Sequence, residues 1–197
     1  MLFSNKEVST YINEHFEPVW ESVRAVPIVT IDFGGGKLIK RTLHGNIATY
    51  VCTAEGYVVD VLPGIYQPTT YISELATLAE RQAQLPTDQS QAARAMHDYR
   101  TRSVLQHPAN AGNATRIAKV SSLKDVAFNE PVAGLSKDTE LNETIRRDAI
   151  HSKLASCGLV KPDEVKHWLY KTVLHADLDD PYLGLGPTLN ATYPFQD

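Results

Sequence analysis

Between Ile47 and Ala79 the spacing of apolar positions changes twice, and these changes predict the local fold. Ile47 to Thr53 is rich in β-branched and aromatic residues, and Tyr57 to Leu62 is a second such run. Ala54-Glu55-Gly56 between them is a turn signal, and so short a connection makes the two runs an antiparallel hairpin. Pro63-Gly64 ends the pairing. Pro68 stands where a helix starts, ahead of Tyr71, Ile72, Leu75, Leu78 and Ala79 at helical spacing.

The N-terminal segment carries Val8, Tyr11, Ile12 and Phe16 as one helical stripe. Ser4 and Glu7 have the spacing of a capping box, Phe3 and Val8 that of a hydrophobic staple, and Pro18 stops the helix. Val19-Trp20 reads as a short strand and Ile28 to Phe33 as another. Gly34-Gly35-Gly36-Lys37 has the glycines and lysine of a phosphate loop. Leu38 follows the lysine where Ser or Thr is required, and no helix begins there. A glycine turn between two strands is the better account.

Beyond Arg81 the pattern becomes helical. Arg81 to Gln91 reads as a polar linker, and Thr87 or Asp88 can cap a helix bearing Ala92, Met96 and Tyr99 on one face. His107 to Pro131 has no sustained period and reads as loop. Leu141, Ile145, Ala149 and Ile150 make a further helix stopped at Gly158. Pro162 opens the last helix, with Val165, Trp168, Leu169, Thr172 and Val173 on its apolar face. The tail holds Tyr182, Leu183, Leu185, Tyr193 and Phe195 and is expected to lie against the domain as an ordered arm.

The capped helix ending in YINEHFEPV, followed by GNIATYVCTAEGYVVDVLPGIYQPTTYISEL, resembles the later two-thirds of a thioredoxin-like domain. Ile47-Ala48-Thr49 lies where that family has its cis-proline turn, and Gly64 with Pro68 corresponds to the residues leading into its closing helix. The resemblance implies an α/β fold: a modified, incomplete thioredoxin-like sheet with flanking helices over residues 1–82, then a mainly helical extension over 83–197. The chain departs from the family in having no CxxC, Ala48 in place of the cis-proline, and no central first strand. Dithiol exchange needs an attacking thiolate and a resolving thiol within reach, so the fold carries over and the activity does not. The missing strand is filled by the Ile28 to Arg41 hairpin, by a second copy, or by sequence upstream; Met1 is read as an internal start of a longer chain.

Composition narrows the function classes. The 197 residues are 43% hydrophobic and 21% charged with net charge −4, as in a soluble globular protein. No basic tract predicts nucleic-acid binding, no apolar run spans a bilayer, and the N-terminus lacks a signal peptide, so a cytoplasmic location without membrane or nucleic-acid partners is expected. The two cysteines, Cys52 and Cys157, form neither a disulfide framework nor a zinc pattern. His151, Cys157, His167 and His175 fit no common metal spacing, and Asp177-Leu178-Asp179-Asp180 lacks the glycine and downstream Glu of a calcium loop. No cofactor or metal is called for.

The candidate catalytic residues are Cys52, as a single reactive thiol, and His44, as its base; the alternatives are a packed cysteine and an exposed turn histidine. Three functions follow. The first is a binding or scaffold module whose hairpin face or helical arm holds a protein partner or a second copy. The second is a thiol-dependent oxidoreductase-type enzyme using Cys52, or one derived from a longer redox-active chain, and the third is a Cys/His hydrolase.

Overall fold

A computed structural model describes residues 2–42, 47–106 and 131–182. At the N-terminus, Leu2–Ser4 wind one 3-10 turn, closed by the Asn5 N–H donating to the Leu2 carbonyl (3.0 Å). That turn takes up Ser4, so Asn5 caps helix α1 (Lys6–His15) instead: its Oδ1 accepts from the N–H groups of Glu7 (2.9 Å) and Val8 (3.1 Å). The expected Ser4–Glu7 box is thereby corrected by one position. The apolar stripe of α1 is as expected, with Val8 buried and Tyr11, Ile12 and Phe16 packed beside it.

Strands β1 (Ile28–Asp32) and β2 (Leu38–Thr42) pair antiparallel with Ile31 opposite Ile39. Gly34, Gly35 and Gly36 between them all have positive φ, which makes this a turn built from glycine freedom, as anticipated. Strands β3 (Ala48–Cys52) and β4 (Val58–Pro63) form the second antiparallel pair, with a register irregularity between Val51 and Cys52. Each pair is a two-stranded sheet among the described residues, and the molecule is mixed α/β.

Helix α2 (Pro68–Ala83) starts with its proline in the first turn and runs past Arg81, so the linker shrinks to residues 84–88. Helix α3 (Gln89–Gln106) is capped by Asp88, whose Oδ1 accepts from the Gln91 N–H (2.9 Å). Helix α4 (Pro131–Leu141) continues through a π-helical turn, Asn142–Arg146, into α5 (Arg147–Cys157), which Gly158 ends at φ 73°. Helix α6 (Pro162–Trp168) likewise passes into a π-helical segment, Leu169–Val173.

The core has two parts on either side of β4, every residue of which is buried. Val58 and Val61 pack with Ile150, Leu154, Val165, Leu169 and Val173 of the C-terminal helices. Val59 and Leu62 pack with Val8, Tyr66, Tyr71, Leu75, Leu78 and Met96. Both parts draw on residues before and after position 82. With β4 covered on both faces, an uninterrupted apolar run is what its position favours, and Asp60 in its middle is the exception.

The expected strand at Val19-Trp20 does not form. That stretch follows Pro18 and has no strand partner among the described residues; it is held instead by side chains further along, and its two large residues are 91% and 84% exposed. Lys166 reaches Glu21 (3.2 Å), Val23 lies against the C-terminal core, and Arg24 donates to the carbonyls of Asp180 and, at 2.6 Å, Pro181. Among the described residues no helix is long and apolar enough to cross a membrane.

Candidate functional site

The chain brings together two features that its linear pattern does not announce. One is a buried charge cluster around Asp60, the other an uncovered apolar hairpin.

Asp60 has no solvent exposure. A carboxylate in such a place must be compensated or give up its charge. Compensation comes from α3 and α5, both after position 83. The Arg147 Nη2 donates to Oδ2 (2.6 Å), and the His151 Nε2 lies 3.0 and 3.1 Å from the two oxygens. The Tyr99 hydroxyl donates to Oδ2 at 2.7 Å. Arg147 and His151 are one turn apart on α5, so a single helix face supplies both. Arg147 also pairs with Glu74 of α2 and, at 3.1 Å, with Glu143, while the Arg81 guanidinium stacks 3.5 Å from the centre of the Tyr99 ring.

Burial by itself would raise the Asp60 pKa. The charges of His151 and Arg147, with the hydrogen bonds from His151 and Tyr99, outweigh it and hold the carboxyl well below the usual carboxylate range. Burial and the Asp60 charge together push the Tyr99 hydroxyl far up. Tyr66 is raised by burial and then by the nearby Glu143 carboxylate.

Beside this cluster Arg100, also without exposure, donates to the carbonyls of Val58 (2.7 Å), Gly158 (2.9 Å) and Leu154 (3.1 Å). It joins a strand, a helix end and the loop after it. These side chains turn their polar atoms on one another and on the backbone. An Asp–His–Tyr constellation would suit proton transfer in an open cleft; here both Asp60 oxygens are occupied by internal donors under full burial, and the arrangement locks α3 and α5 onto β4.

The sequence candidates fall elsewhere. Cys52 ends β3, half-buried against the C-terminal core, and its desolvation raises the thiol pKa, which opposes thiolate formation. His44 lies outside the described residues, so no geometry joins it to Cys52. Cys157 is exposed at the end of α5. His151 is committed to Asp60, His167 lies 3.2 Å from Asp179, and His175 closes the last helical segment at φ 53°. Asp177 pairs with Lys171 (2.7 Å) and accepts from the Asp179 N–H, as in a polar helix stop. Asn142 is buried, donating to the Ile65 carbonyl (2.8 Å). Tyr182 is exposed, and the tail residues Leu183, Leu185, Tyr193 and Phe195 lie outside the described residues, as does most of the His107 to Pro131 segment.

The β1–β2 hairpin is the opposite case. Ile28, Ile31, Phe33, Leu38 and Ile39 are all exposed, Phe33 at 64%, and so is Val26 just before. Alternation sets Val29, Ile31 and Ile39 on one face, with the Ile31–Ile39 pair at its centre. The two strands pack mainly on each other, and both outer edges are unpaired among the described residues. Scattered surface hydrophobes are ordinary, whereas this many on one short hairpin are not.

No known family model, curated protein or solved structure matches this chain.

Proposed function

We propose that this chain is a protein-binding module, a scaffold without a dithiol site that presents the β1–β2 hairpin to a partner. The observation that carries the reading is the hairpin's uncovered apolar surface, with Ile28, Ile31, Phe33, Leu38 and Ile39 in water and both edges unpaired among the described residues. An isolated two-stranded hairpin is at best marginally stable, so an occupant on its face or edge contributes stability as well as recognition. Exposed Val19 and Trp20 add apolar surface, and tryptophan is over-represented among residues that dominate binding energy.

The scaffold is read as thioredoxin-like on the strength of the sequence resemblance. Supporting it are the β3–β4 hairpin, the glycine at position 64 with φ 76°, and the proline-led α2 packed on β4, in that order along the chain. The thiol-enzyme and hydrolase readings gain no support from Cys52, whose surroundings favour the neutral thiol.

Site-specific photo-crosslinking tests the binding reading. A benzophenone amino acid in place of Phe33 should give a discrete adduct in extract of the native cell, lost when Ile31 and Ile39 are both changed to Ser. The same probe in place of exposed Glu14 on α1 serves as control. Identical adduct patterns from the two positions would refute the proposal.

A further inference from the structure

We infer that the C-terminal segment 183–197 seats on the Ile31–Ile39 face of the hairpin and competes there with the partner. This inference rests on the binding-module reading and deepens it by naming the site's regulation.

The segment leaves the fold from a fixed point close to where the hairpin begins. Val23 and Leu178 lie against the same part of the core. Next in the chain after Val23, the Arg24 guanidinium donates through Nη1 to the Asp180 carbonyl and through Nη2 to the Pro181 carbonyl (2.6 Å for the second). Strand β1 starts at Ile28, four residues past Arg24. One side chain therefore ties the root of the tail to the root of the hairpin. Tyr182 follows, exposed, and residues 183–197 lie outside the described residues.

The tail is long enough and has the matching chemistry. Seven residues separate Arg24 from Ile31, so the centre of the face lies at most about 25 Å along the backbone from the clamp, whereas Pro181 to Phe195 can extend about 45 Å. The segment carries Leu183, Leu185, Leu189, Tyr193 and Phe195, and its one charged side chain is Asp197. The face it meets has Ile31, Ile39 and Phe33 uncovered. By the strand register Lys37 shares this face with Ile39. The tail brings no cation against that lysine, whereas two copies stacked face to face would carry a lysine on each side of the contact.

Tethering decides the order of events. A linked segment acts at an effective concentration of roughly millimolar, which a diffusing partner seldom matches. The partner then binds only the fraction of molecules whose face is open, and its apparent affinity is lowered by that fraction. The tail is an intramolecular competitor, and displacing it is a step in partner binding.

The test uses the full chain, purified, with the benzophenone amino acid in place of Phe33. Irradiation at low protein concentration, followed by peptide mass mapping, should give an intramolecular crosslink into residues 183–197 in a yield that does not change on dilution. The probe in place of Glu14 should give none. Leu185→Ser/Tyr193→Ser/Phe195→Ser should abolish the crosslink from position 33 with circular dichroism unchanged. In extract the same triple variant should raise the partner adduct at least about threefold, as expected for a face that the tail occupies most of the time. Tail crosslinks equally frequent from positions 14 and 33 would overturn the inference. So would a yield that falls on dilution, which assigns the contact to a second copy. A partner adduct unchanged in the triple variant would likewise overturn it and leave the module reading standing. A tail crosslink without a partner adduct from either chain would uphold the seat of the tail and refute the module reading instead.

Discussion

Replacing Asp60 by Asn tests whether the buried cluster holds the fold together. The substitution preserves side-chain volume and removes the charge that compensates Arg147 and contacts His151 and Tyr99. Breaking a buried pair from one side costs about 3–5 kcal/mol, because the surviving charge is left uncompensated. Arg147 keeps Glu74 and Glu143, both partly solvated, so the lower end of that range applies, about 3 kcal/mol. With a urea m-value of about 2 kcal/mol/M, the unfolding midpoint should fall by about 1.5 M. Glu74→Gln removes a partly exposed partner of the same arginine and should cost less than about 1 kcal/mol. A loss in Asp60→Asn no larger than in Glu74→Gln would show that Asp60 is not the centre of the network.

The same variant has a distinct acid signature. The folded-state pKa of Asp60 is depressed, so below the ordinary carboxylate range the unfolded chain binds a proton that the folded chain does not. Its contribution to stability is therefore complete above about pH 4 and is lost as the pH falls through the folded pKa. Asp60→Asn should flatten the fall in stability on the acid side, measured by urea midpoints between about pH 5 and 2. An unchanged slope would refute the assignment.

At alkaline pH the sign reverses: Tyr50, Tyr66 and Tyr99 are all raised, first of all by burial, so the folded chain retains protons that the unfolded chain releases near pH 10, and thermal stability should drop above that value. Gly64→Ala should destabilise by about 1–3 kcal/mol in urea titration, since the residue has φ 76° and a new Cβ would lie 3.0 Å from the Asn142 amide. Arg100→Met leaves the carbonyls of Val58, Leu154 and Gly158 without this donor and should cost at least about 2 kcal/mol by the same assay. Iodoacetamide at neutral pH should modify exposed Cys157 well before Cys52, as read by peptide mass mapping; rapid labelling of Cys52 in the folded chain would revive the thiol-enzyme reading.

The elements that could be read along the chain are those whose signals are local. The β3–β4 turn at Gly56, the Gly34 to Gly36 turn, Pro68 opening α2, Asp88 capping α3 and Gly158 ending α5 each follow from the chemistry of a few adjacent residues. Where a longer-range competitor exists, local signals mislead. Ser4 has the right spacing for a cap but is drawn into a 3-10 turn, and Val19-Trp20 has strand-forming residues but no strand paired with it among the described residues. The two π-helical segments escape a periodicity reading because an extra residue per turn shifts the phase without ending the helix. The Asp60 cluster had one visible trace, a lone carboxylate between Val59 and Val61. Such a residue demands a cation somewhere, but positions 99, 147 and 151 are identified only once the chain is folded. Cys52 and His44 are residue types that suit catalysis, and type says nothing of distance.

The separation of Asp60 from Arg147 along the chain bears on how the protein is made. A ribosome completes the β3–β4 hairpin and α2 while the residues that will neutralise Asp60 are still untranslated. Until they emerge, the carboxylate is better solvated than enclosed, and closure of α3 over β4 is opposed. Synthesis must therefore reach the turn of helix containing Arg147 and His151 before the nascent chain can settle, and a peptide released earlier would expose its half-built core to the quality-control machinery.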